Sequence, residues 1–102
     1  MGIRKEFLKS KPVCKVTFKI SEKIGNSAQQ AYVVGEFNGW STSATPMKRL
    51  KNGAFSATVA LESGRAYQFR YLLGESLWEN EPDADDTLPT PFGDSHNSVI
   101  IL

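Results

Sequence analysis

The chain has 102 residues, 40% of them hydrophobic and 23% charged, which fits one globular domain and argues against disorder. A formal net charge of +1 supplies no strong field, so neither nucleic acid nor an anionic membrane is an expected partner. No run approaches the roughly 18–20 apolar residues of a membrane-spanning helix, residues 1–8 hold no apolar signal core, and Cys14 has no second cysteine to pair with; a cytoplasmic location is the expectation.

Residues 1–12 read as a lead-in segment with one helical turn, and residues 13–102 as the domain. Cys14, Val16, Phe18 and Ile20 alternate with Lys15, Thr17 and Lys19, the period of a strand with one wet face. Cys14 sits on the apolar side of that strand and is expected to be a small buried hydrophobe rather than a reactive thiol. Ser21 to Gln30 is polar and reads as a loop, followed by a short strand from Ala31 to Gly35. That strand runs into Glu36-Phe37-Asn38-Gly39-Trp40, where Gly35 and Gly39 are expected to let the backbone turn, Phe37 to pack inward and Trp40 to be left outside.

Met47 to Leu50 is a candidate edge strand, and Lys51-Asn52-Gly53 carries the Asn-Gly signal of a tight turn. Phe55, Ala57, Val59 and Leu61 alternate with Ser56, Thr58 and Ala60. After Glu62-Ser63-Gly64, the residues Tyr67, Phe69, Tyr71 and Leu73 alternate with Gln68, Arg70 and Leu72, so the three aromatic residues are expected in the core. A turn at Gly74 leads to Leu77-Trp78-Glu79. Asn80 to Asp94, with three prolines and an acidic group, reads as an irregular solvated loop, and Val99 to Leu102 as a strand buried on both faces. Several short strands and no long helix imply an all-β antiparallel sandwich.

Catalytic constellations are poorly supported. His96 is the one histidine, in a polar turn, so a Ser/His/Asp or Cys/His site would depend on it alone, and one Cys with one distant His gives no zinc spacing. Glu79, Glu81, Asp83, Asp85 and Asp86 crowd one loop without the pattern of a calcium-binding loop, so no catalytic residue, metal or cofactor is assigned. The tryptophans remain. Trp40 and Trp78 lie outside any core-strand pattern, which fits either partial burial or a platform on which a pyranose ring lays its C–H face while amides such as Gln68 and Asn97 meet its hydroxyls.

Together, Val34-Gly35-Glu36-Phe37-Asn38-Gly39-Trp40, then Tyr67-Gln68-Phe69-Arg70-Tyr71, Trp78, and Asn97-Ser98-Val99-Ile100 resemble carbohydrate-binding module family 48. That family includes the early-set domain before the catalytic barrel of isoamylases and branching enzymes, and the glycogen-binding domain of the AMP-activated kinase beta subunit. The resemblance covers roughly residues 13 to 102 and implies an immunoglobulin-like β-sandwich. It implies stacking roles for Trp40 and Trp78 and a glucan hydrogen bond from Asn97. Gln68 falls where glycogen-binding members carry a lysine and Phe92 roughly where they carry a leucine, while Gly93 to Asn97 is one residue longer than in them. The implied ligand is an α-1,4-glucan such as glycogen, starch or a maltooligosaccharide. The alternative is a protein-interaction module of the same fold, partnering an amylolytic or glycogen-metabolism protein. No catalysis is implied, because the relatives' catalytic residues sit in a separate barrel, a fold of about 250 residues.

Overall fold

In the computed structural model the described residues are 2–25, 28–90 and 95–102. They form nine strands: β1 (Gly2–Phe7), β2 (Val13–Ile20), β3 (Ala31–Gly35), β4 (Lys48–Arg49), β5 (Phe55–Glu62), β6 (Ala66–Leu73), β7 (Leu77–Glu79), β8 (Asp86–Pro89) and β9 (His96–Ile101). One sheet has the order β1-β2-β5-β4. The other has the order β3-β6-β9-β8, with β7 also paired to β6, and every strand pairing is antiparallel. First, second, fifth and fourth strands on one layer facing third, sixth and last on the other is the immunoglobulin arrangement, with β7 and β8 added in the final connection.

The alternation seen in the sequence builds the core. Cys14, Val16, Phe18 and Ile20 are fully buried, and their partners across β5 include Leu61, Val59 and Phe55. The facing layer contributes Val33, Phe69, Tyr71, Leu73 and Ile100. Phe18 is at the centre, edge-on to Phe69 at 5.0 Å and Tyr71 at 6.3 Å and stacked with Phe37 at 5.9 Å. Each such aromatic contact contributes about 0.5–1.5 kcal/mol beyond the area it buries. Cys14 is buried as expected, and so are Tyr67, Phe69 and Tyr71.

Three local expectations are corrected. The lead-in is not a helical turn: Gly2–Phe7 pairs along β2 from Gly2↔Lys19 to Phe7↔Cys14. Pairing satisfies the open row of β2 backbone groups, and Ile3 packs against the core. The last strand is covered on both faces only over Ser98, Val99 and Ile100, and its end is open, since Ile101 is exposed.

The segment after β7 is neither irregular throughout nor uniformly solvated. It contains β8, and Glu81 is only 2% exposed. Tyr71 Oη donates to Glu81 Oε1 at 2.8 Å and the Asp83 N–H donates to Oε2 at 2.9 Å. The Glu81 N–H donates to Ser98 Oγ at 2.9 Å, and Ser98 Oγ donates to Asn80 Oδ1 at 2.9 Å. A carboxylate tolerates such burial only when donors meet it. Burial, with the Glu81 carboxylate next in importance, pushes the Tyr71 phenol well above its ordinary value, so it stays a donor.

Candidate functional site

The turn after β3 is built by side chains reaching back to backbone. Asn38 Oδ1 accepts the Gly35 N–H at 3.1 Å, while Asn38 Nδ2 donates to the Val33 carbonyl and to Thr45 Oγ1, both at 2.9 Å. Residues 36–38 form one 3-10 turn, and the Trp40 N–H closes it onto the Gly35 carbonyl at 2.8 Å. Gly39 and Trp40 then both take positive φ, 65° and 60°. A tryptophan rarely adopts this left-handed conformation, and here it turns the indole outward at 41% exposure.

Gly35 has a different task from the one expected. Its φ of −167° is ordinary extended backbone. A Cβ there would lie 2.6 Å from the Gln68 carbonyl oxygen and 2.8 Å from Phe69 Cβ, so glycine is required by close approach to β6. Where the β3 ladder stops, Glu36 Oε1 continues it by accepting the Gln68 backbone N–H at 2.7 Å.

Register brings the remaining groups to the same outer face. Leu72 pairs with Trp78 across β6 and β7, so the indole shares a side with Arg70 and Gln68, two and four positions back along β6. Gln68 pairs with Val99, which places Asn97, two residues earlier in β9, on that side too. Trp78 is 42% exposed.

Trp40, Trp78, Gln68 and Asn97, scattered over 58 positions of sequence, thus line one groove of about 480 Å³. Phe92, with Gly93 and Asp94 of the lengthened segment, lies outside the described residues. Four further lining residues had not been singled out: Glu36, Arg70, Thr90 and Ser95. Arg70 was legible, since it alternates with the core aromatics on the Gln68 face. Glu36 was legible only as part of the turn, and Thr90 and Ser95, whose hydroxyls bond to each other, carried no signal. Inside the groove Arg70 Nε donates to Asn97 Oδ1 at 2.7 Å, and Asn97 Nδ2 donates to Gln68 Oε1 at 3.0 Å.

Cys14 is buried in β2, and His96 is the exposed first residue of β9. Among the described residues no three His, Cys, Asp or Glu side chains are grouped to hold a metal ion, and no helix is long and apolar enough to cross a membrane.

A small antiparallel sandwich with an open, aromatic-flanked groove on one sheet is the design of a binding module. Residues 25–82 match the family model of carbohydrate-binding module 48 (isoamylase N-terminal domain), and the chain belongs to that family of non-catalytic binding modules. The matched stretch includes Trp40, Gln68 and Trp78 and stops before Asn97. Among curated proteins the chain is similar to Protein PTST homolog 2, chloroplastic, of Arabidopsis thaliana, at 35% identity over 57 residues. The match takes in 56% of this chain and 10% of that protein's length.

Proposed function

We propose that the chain binds α-1,4-linked glucans, such as starch, glycogen or maltooligosaccharides, in the groove between Trp40 and Trp78, and does not cleave them. The observation that carries this reading is the pairing of two half-exposed indoles with the Gln68 and Asn97 amides between them, in a chain of a carbohydrate-binding family. Indole faces remove the apolar C–H face of a glucose unit from water, and the amides meet its oxygens.

An open groove of this kind binds weakly, with a dissociation constant between about 10 μM and a few millimolar. Maltoheptaose titrated against tryptophan fluorescence is expected to saturate in that range, and Trp40→Ala or Trp78→Ala to remove the response of the remaining site. No change at millimolar sugar, or unchanged affinity in both variants, rejects the reading. The purified chain is expected to release no reducing sugar from amylose.

A further inference from the structure

The groove wall between the two indoles contains a hydrogen-bond chain whose direction follows from chemistry. A guanidinium carries N–H groups and no acceptor. The Asn97 atom that faces Arg70 Nε at 2.7 Å is therefore its carbonyl oxygen, because the reversed amide would press two donors together. With Oδ1 committed to Arg70, Asn97 turns Nδ2 on Gln68, which answers with Oε1 at 3.0 Å. The polar end of Gln68 left for the groove is Nε2 with its two N–H groups, and no described residue accepts from it.

We infer that Arg70 is the residue that sets the specificity of this groove: it locks the Asn97 and Gln68 amides in one orientation, so that Gln68 offers its Nε2 donors to ligand oxygens beside the acceptor carboxylate of Glu36 in the same lining. For its ligand the inference rests on the glucan reading above; for the amide orientation it does not. The ring and glycosidic oxygens of a glucan can only accept, so the Gln68 Nε2 donors are the complement of the edge that carries the linkages. An acceptor in their place would be limited to hydroxyls. Arg70 acts on the ligand through Asn97 and Gln68 and is, in that respect, a positioning residue.

The test uses the whole chain, isotope-labelled, with maltoheptaose as probe. Without sugar, one Asn97 Nδ2 proton is expected to be protected from exchange with water and both Gln68 Nε2 protons to be unprotected. In Arg70→Met that protection is expected to disappear while the tryptophan indole signals stay in place. Protected Gln68 Nε2 protons, or an Asn97 amide indifferent to Arg70→Met, overturns the inference whether or not sugar binds. In the titration, Gln68→Glu keeps the acceptor for Asn97 and removes the donors, so affinity is expected to fall about tenfold. Arg70→Met is expected to cause a comparable loss. A Gln68→Glu chain that binds maltoheptaose as tightly as the unsubstituted one overturns the inference. Absence of any binding by the unsubstituted chain sinks the glucan reading, and the exchange measurement then decides the amide orientation by itself.

Discussion

At Trp40 the backbone is held at a φ of 60°, a conformation that costs a residue with a Cβ about 1 kcal/mol. The cost is met by the bonds around Asn38 and returns an outward indole. Comparing Trp40→Gly with Trp40→Ala isolates the backbone term, since neither retains the ring: the glycine variant is expected to be the more stable by about 1 kcal/mol in urea denaturation, and neither to respond to maltoheptaose. Tyr71 is the second residue whose surroundings make a measurable demand. Its folded value is raised above the ordinary 10.0, so its contribution is present below pH 10 and is lost as pH rises and the unfolded chain ionises. Absorbance titration is expected to show this phenol ionising only together with unfolding. Tyr71→Phe, which leaves Glu81 Oε1 without that donor, is expected to cost about 1–3 kcal/mol.

Among the strands, β1 and the β8–β9 pair are tied at one point. Lys5 Nζ donates to Asp85 Oδ2 at 2.7 Å and to the Ile101 carbonyl at 2.9 Å, and the Ile101 N–H donates to Asp85 Oδ2 at 2.7 Å. This clamp joins the edge of one sheet to the other. Partial desolvation pushes the Asp85 carboxyl upward, but the Ile101 N–H and then Lys5 outweigh it and hold it below its ordinary 3.8. A lowered folded value means that the stabilisation is complete above pH 3.8 and is lost as pH falls through the folded value. Amide protection over Gly2–Phe7, taken relative to the intrinsic exchange rate at each pH, is therefore expected to fall below about pH 4, and Lys5→Met to show that lower protection already at neutral pH.

At the scale of the molecule, the core and the groove occupy opposite faces of the β3-β6-β9-β8 sheet. Tyr67, Phe69 and Tyr71 point inward from β6, while Gln68 and Arg70 between them point out. Stability and binding are thus separable: Phe18→Ala is expected to cost about 3–5 kcal/mol and lower Tm, whereas Trp78→Ala is expected to leave Tm nearly unchanged and abolish the sugar response. The alternations of β2, β5 and β6 were legible from residue order, because side chains on a strand alternate faces whatever lies beside it. So was the strand that ends at Gly35. Other features depended on partners distant in sequence. Gly2–Phe7 is a strand only because β2 presents an open edge to it, and Glu81 is buried because Tyr71 and Ser98 meet it. Gly35 is required by the closeness of β6 and not by its own φ. Trp40 could be read from the sequence by itself as an indole left outside the core. That it shares a groove with Trp78, across amides whose orientation Arg70 sets, was decided by the antiparallel register of β6 with β7 and β9, which residue order along one strand does not contain.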